Sequence, residues 1–278
     1  MKYTYICLFC SVLLITGCVN RIPGYRECAD ITFNTSLSQE QIPIDGDTRS
    51  ITDNISSLSV FDCMDGEKMQ EVTQSSSDKD FGSVSMTMSY GTHELLFVGY
   101  KSEGMSFFYP SITFPKVLDT FSYSLKIDVD EDSQKEQNIV LSRSVALVKV
   151  TATDAITADV AALRMTLSAC YPSLDVTTSY SSGIPEKTAR TFNYQPSNIG
   201  AKGSTYSIYT FVPDGGFTTD VTVETLNSQG KVINTSLVKS VSVEKNRQTI
   251  LSGNLFNHDA TLDISLDTSW GANIEYPI

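Results

Sequence analysis

Residue types that carry most enzyme chemistry are scarce in this 278-residue chain. It has two histidines, His93 and His258, and neither stands in an H-x-x-x-H or H-E-x-x-H spacing. No C-x-x-C pair for zinc occurs after Cys18, and there is no G-x-S-x-G elbow or phosphate-cradling glycine loop. The series Asp128-x-Asp130-x-Asp132 imitates the start of a calcium loop. Ser133 and Ile139, however, stand where such a loop needs its turn glycine and its bidentate glutamate, so a solvated acidic turn is the better reading. No catalytic residue, metal or cofactor is implied, and the chain reads as a non-enzyme. Basic residues are also few, 20 Lys and Arg against 32 Asp and Glu, for a net charge of −12. That balance argues against nucleic acid and against charge-driven binding to anionic lipid.

Long apolar runs are missing too. Residues 5–15 are almost wholly apolar, about half the roughly 20 residues a membrane-spanning helix needs. With Lys2 before it, the run fits the core of a secretory signal. It stops at Leu13-Leu14-Ile15-Thr16-Gly17-Cys18, which resembles the lipobox of bacterial lipoproteins. That resemblance implies cleavage between Gly17 and Cys18, acylation of the Cys18 thiol and attachment to the membrane through its lipid. More than one acyl chain makes such anchoring stable. The remainder would be 261 residues, enough for one large or two ordinary domains. It keeps Cys28, Cys63 and Cys170, hence at most one disulfide, for which Cys28–Cys63 is the expected pair.

What fills those residues is period-two alternation. Val84, Met86, Met88 and Tyr90 share one face of a strand, and Tyr123, Leu125, Ile127 and Val129 one face of another. Ala146, Val148, Val150 and Ala152 repeat the pattern, and Leu58 and Val60 begin a strand that leads to an Asp65-Gly66 hairpin turn. Helical periodicity is confined to residues 157–163, TADVAAL, a short helix or turn capped by Asp154 or Thr157. The fold class expected is all-β, with two tandem β-sandwich domains of transthyretin-like type. The divisions expected are 1–17 signal, 18–49 tether and a spare strand containing Ile31, Phe33 and Leu37, 50–140 first sandwich, and 141–278 second sandwich. The charged stretch 128–137 marks the boundary between the sandwiches or else a hairpin tip within the first.

Two strand-like segments end the chain. Leu262, Ile264 and Leu266 share one face, and after Trp270-Gly271 so do Ile274, Tyr276 and Ile278. They either complete their own domain as a hairpin or form a donor for a neighbour by β-strand addition, where backbone bonds give affinity and alternate side chains fill pockets.

A lipobox, a spare strand, an Arg-containing loop, two β-rich domains and a strand-like tail together resemble the fimbrillins of Bacteroidota, the type V pilus proteins. DGDTRSITDNISSLSVFDCMDGEKMQ resembles that family's Thr-Arg segment with its first strand and hairpin, and GTHELLFVGY its glycine-led strand. SRSVALVKVTA resembles the opening of its second domain, and KNRQTILSGNLF with DISLDTSW its closing pattern. The resemblance implies a structural pilus subunit that supports adhesion and is exported as a lipoprotein. A protease would cut at Arg49-Ser50, the strand 31–37 would leave, and the vacated groove would accept the tail of another fimbrial subunit. RECADITFNTSL resembles anchor subunits, which keep this strand, whereas Thr48-Arg49-Ser50 resembles cleaved stalk subunits. An exposed loop arginine is the plain alternative for Arg49. The location implied is the outer membrane, lipid-anchored, or a fimbrium on the cell surface. A second function class is a surface binding module or tip adhesin for a glycan or host protein, with Phe107-Phe108-Tyr109 as a platform for sugar rings.

Overall fold

Alternation of apolar with small polar side chains makes strands through nearly all of the computed structural model, which describes residues 27–38 and 51–257 and the backbone of 262–267. In chain order the strands are β1 (Cys28–Leu37), β2 (Ser57–Met64), β3 (Glu67–Ser75), β4 (Ser83–Ser89), β5 (Gly91–Tyr100), β6 (Ser106–Phe108), β7 (Ser111–Thr113), β8 (Thr120–Val129) and β9 (Glu136–Arg143). There follow β10 (Val145–Ala152), β11 (Ala162–Cys170), β12 (Ser173–Asp175), β13 (Tyr180–Ser181), β14 (Glu186–Asn193), β15 (Thr205–Phe211), β16 (Phe217–Leu226), β17 (Val232–Val243), β18 (Gln248–Gly253) and β19 (Leu262–Asp267). One short helix, α1 (Ile51–Asn54), precedes β2. The fold is all-β, as the alternation requires.

The first sandwich is one seven-stranded sheet, β3-β2-β5-β8-β9-β1-β4, folded over on itself. The fold-over lies between β8 and β9, which pair only at Phe121↔Arg143 and Ser122↔Ser142. The two halves enclose Ile31, Phe33, Leu58, Val60, Met88, Leu95 and Phe97. Val84, Met86 and Met88 point inward as their spacing predicts. The Asp65-Gly66 turn joins β2 to β3 with φ of +51° and +82°, the type I′ geometry that an Asp-Gly pair accepts with least strain. The acidic stretch 128–137 is the tip between β8 and β9, and the chain leaves this sheet only after Arg143.

The second sandwich packs β15-β10-β18-β19 on β14-β11-β16-β17 around Val148, Val150, Leu163, Met165, Ile208, Val221 and Leu251. A small third sheet, β13-β12-β7-β6, takes two strands from each region. Below it a shared core joins Phe61, Leu96 and Val98 of the first sandwich to Leu174, Val176 and Phe211 of the second. This explains the unbroken apolar run in β5: Leu95 and Phe97 face the first core, while Leu96 and Val98 face the junction. Arg143 closes the junction from the side. Its Nε and Nη2 donate to the two Asp119 oxygens (2.7 and 3.0 Å), with the guanidinium 4.7 Å from the centre of the Phe121 ring.

Of the two readings of residues 157–163, short helix or turn, the turn is found, leading into β11. Asp154 does not cap it: the Asp154 carboxylate accepts N–H bonds from Leu255, Phe256 and Asn257, each 2.9 Å. Tyr123, Leu125, Ile127 and Val129 share the face turned to the first core, as expected, although Tyr123 at its rim is partly exposed; the opposite face is buried at Ser122, which packs beside Ser144 and Ser179. No disulfide joins Cys28 to Cys63. Cys28 opens β1 at the surface, while Cys63 lies in the junction core beyond the opposite half of the sandwich.

Candidate functional site: the inserted first strand

The strand CADITFNTSL alternates so that Ile31, Phe33 and Leu37 are buried while Asp30 and Ser36 stay exposed. Such a sequence suits a half-buried pleated surface, yet nothing local specifies its partners. In the fold β1 lies between β4 and β9. It is antiparallel to β4, Cys28–Asn34 against Ser83–Ser89, and parallel to β9, Thr32–Leu37 against Glu136–Leu141. It is thus an interior strand, although the chain segment 39–50 separates it from the rest of its domain.

Side chains fix its register on both faces. Inside, Phe33 meets Phe97 edge to face at 5.4 Å. Thr35 Oγ1 donates to the Gly82 carbonyl (2.8 Å). Outside, Thr87 Oγ1 donates to Asp30 Oδ1 (2.6 Å), Ser83 Oγ donates to Asn34 Oδ1 (2.9 Å), and Thr32 shares a hydrogen bond with Ser85. Burying three large apolar side chains contributes about 4–9 kcal/mol gross. Removal of β1 would therefore leave an apolar slot flanked by two rows of backbone donors and acceptors, a template for another strand.

The chain beyond the slot is anchored independently. Ile55 is fully buried, and a Cβ added at Gly99 would stand 2.7 Å from its Cδ1, so β5 needs glycine there to admit it. Lys101 Nζ donates to the Asp53 carbonyl (2.9 Å). The far flank of the sandwich is closed by two inward glutamines of β3. Gln74 Nε2 donates to the Ser83 carbonyl (2.8 Å) while its Oε1 accepts the Gly82 N–H (2.9 Å). Gln70 Nε2 donates to the Thr87 carbonyl and to Asp62 Oδ2. Asp62 is held in turn by His93, whose Nδ1 lies 2.6 Å from its Oδ1 and whose Nε2 donates to the Ser89 carbonyl (2.8 Å). His93 is thereby committed to packing.

Of the tail residues, Leu262, Ile264 and Leu266 lie on β19, whose backbone pairs antiparallel with β18 at the edge of the second sandwich. Trp270, Ile274, Tyr276 and Ile278 lie outside the described residues, as do Gly17, Cys18, Arg49, Ser50 and His258. Of Phe107-Phe108-Tyr109, only Phe108 is open to solvent, at 86% exposure. Phe107 stacks on Phe61 at 4.0 Å, and Tyr109 Oη donates to Glu94, which pushes the tyrosine pKa up to about 12. Sequence reading missed Gln70 and Gln74, and gave Asp154 a different role. Their one signal is a polar residue at an inward strand position or just beyond a strand end. Among the described residues no group of three or more His, Cys, Asp or Glu could hold a metal ion, and no helix is long and apolar enough to cross a membrane.

The sequence model of a family of unknown function (DUF6562) matches residues 112–278, from β7 through the whole of the second sandwich. Among solved structures the chain is similar to a candidate polysaccharide-binding protein (DUF1812) from Bacteroides thetaiotaomicron, at 8% identity and a TM-score of 0.52, covering 88% of this chain and 98% of that one. It is similar to a candidate adhesin from the same species at 9% identity and a TM-score of 0.52, covering 90% and 99%. A candidate cell adhesion protein from Bacteroides ovatus gives 11% identity and 0.52, covering 91% and 100%. At such identities the likeness is one of fold. No curated protein matches the sequence.

Proposed function

The chain belongs to the family of unknown function DUF6562, and we propose that it is a structural fimbrial subunit, anchor or stalk, exported as a lipoprotein through Cys18 and joined to other subunits by β-strand donation. One observation carries this reading. β1 is an interior strand separated from its own domain by the segment that holds Arg49 and Ser50, so a cut there makes β1 removable. α1, Ile55 and the glutamine-closed flank hold the remaining strands in place. The vacated slot would require a donor with apolar residues at alternate positions, which Leu262, Ile264, Leu266, Ile274, Tyr276 and Ile278 supply. Since β19 pairs with β18, donation of its three residues requires release from an edge; the alternative donor is the segment from Trp270 onward.

The test is the intact mass and N-terminal residue of the protein isolated from its own outer membrane. A lipidated form beginning at Cys18 assigns an anchor, in which β1 stays. A form without lipid beginning at Ser50 assigns a polymerising subunit. A form with neither lipid nor cut overturns both assignments.

A binding module at the cell surface is the second reading, favoured by Phe108. Its exposed ring sits on the small sheet beside Ser106, Ser111 and Thr113, the mixture of aromatic face and hydroxyls that sugars use. Proteins of this fold named for adhesion and for polysaccharide binding agree with it. Loss of glycan or host-cell binding on Phe108→Ala, with polymerisation unchanged, would establish it.

A further inference from the structure

The two domains also meet at a cleft of about 460 Å³, within the range of small-molecule sites. Phe114, Lys116 and Val117 of the segment between β7 and β8 form one wall. Cys170, Arg190 and Tyr209 of β11, β14 and β15 form the other. The cleft lies at the flank of the second sandwich where edge strands β14 and β15 face each other. Arg190 spans it: Nη2 donates to the Val117 carbonyl (2.8 Å) and Nη1 lies 3.5 Å from the Ser207 carbonyl.

Arg190 is the unusual residue. It is half-buried, and burial lowers its pKa. A guanidinium nevertheless stays charged in proteins. It forms no ion pair among the described residues, although the chain carries 32 carboxylate side chains. Lys116, at the mouth, forms none either. The nearby Asp119 is already engaged by both Nε and Nη2 of Arg143. Two carbonyl contacts leave three of the five guanidinium N–H donors for a ligand. A desolvated cation with donors to spare, in an acidic protein, is the arrangement that recognises a carboxylate in a planar fork. Thr188 and Phe192, on the same face of β14 as Arg190, join the lining with Pro115 and Pro172.

We propose that this interdomain cleft binds an acidic sugar, its carboxylate on Arg190 and Lys116 and its hydroxyls and ring face on the threonine and phenylalanine side chains. Among the described residues the lining comes from the β7–β8 segment, β11, the turn after it, β14 and β15, and none of it from β1, so the site does not require that β1 leave.

The test is calorimetric titration of the full chain with glucuronate, N-acetylneuraminate, glucose, acetate and inorganic phosphate. One or both acidic sugars should bind, with glucose and acetate at least about tenfold weaker. Arg190→Ala should weaken the acidic sugar by about 10- to 100-fold, the loss expected for a charged hydrogen-bonded partner. Arg190→Lys should fall between, because it keeps the charge and loses the fork. Arg190 also ties Val117, so thermal melts accompany these variants. Lys116→Gln, on an exposed side chain, should weaken binding a few-fold with an unchanged melt. The α-methyl glycosides then divide the sources: retained affinity assigns a glycan terminus, and lost affinity a free sugar acid. No binding by either acid, equal binding of glucose, phosphate or acetate as tight as the acids, or wild-type affinity in Lys116→Gln and Arg190→Ala would each overturn the proposal.

Discussion

The two sandwiches solve the problem of their flanks differently. The first is shut on both sides: the sheet folds over at β8–β9, and Gln70 and Gln74 of β3 reach the backbone of β4. The second has no fold-over. On one flank Tyr194, whose hydroxyl donates to Tyr206 (2.7 Å), Arg190 and the Cys170 thiol cross from sheet to sheet, and the cleft lies between domains at that edge. On the other, Asn234 Nδ2 donates to the carbonyls of Leu255 and Asn257. On the proposed function, a sandwich shut on both flanks would admit a donor strand where β1 leaves. A sandwich with open flanks offers a ligand cleft and a peelable edge strand.

Asp154 should give the largest effect, because its carboxylate takes three successive backbone N–H groups of the segment that closes the second sandwich. Asp154→Ala leaves three backbone N–H groups, of Leu255, Phe256 and Asn257, without an acceptor. Leu255 and Phe256 are buried and Asn257 is exposed, so at about 1–3 kcal/mol for each unmet buried group a loss of roughly 2–6 kcal/mol is expected. Hydrogen exchange should show the loss in β18 and leave β2 and β5 protected. Equal loss in both regions would mean that the junction core makes them one cooperative unit.

Phe33→Ala is the counterpart in the first sandwich. The side chain is fully buried against Phe97, and truncation of a core phenylalanine costs about 3–5 kcal/mol. Urea unfolding should show this loss with the second sandwich spared. If β1 is removable as proposed, the variant should also release the strand more readily once cut at Arg49, read as dissociation of the N-terminal peptide. A smaller effect is expected of Gln74→Ala. It removes the bonds to Ser83 and Gly82 at a partly exposed site, for about 1–2 kcal/mol, and opens the flank without touching the core.

Much of this organisation was legible in the sequence, and the reason for the remainder is physical. Alternation reports which face of a strand is buried, so β4 and β10 were readable from Val84, Met86, Met88, Val148 and Val150. The Asp65-Gly66 pair dictates its own turn. Alternation does not report a partner. The place of β1 between β4 and β9, and the small sheet that β6 and β7 form with β12 and β13, depend on residues about 50 to 110 positions apart. Ser122 misleads because the second region covers the polar face of β8 there, bringing Ser179 onto it. Arg190 and Lys116 carry no local pattern, and only the docking of the two domains brings them to one cleft.

The smallest effect separates the two regions by pH. Tyr109 and Tyr209 both have pKa values pushed up to about 12, for different reasons: Tyr109 first through its hydrogen bond to Glu94, Tyr209 first through burial. A pKa raised in the folded state favours the protonated form. The stability each contributes is therefore complete below about pH 10, the ordinary tyrosine value, and is lost as pH rises from there through 12. Absorbance titration should show Tyr109 and Tyr209 ionising after the exposed tyrosines, together with Tyr194 and Tyr206, which burial also pushes up. Glu94→Gln should return Tyr109 toward 10 and leave Tyr209 where it is, because burial in the second sandwich does not involve Glu94. If both move together, the junction transmits the change, and the two sandwiches are coupled through the small sheet that Tyr109 adjoins.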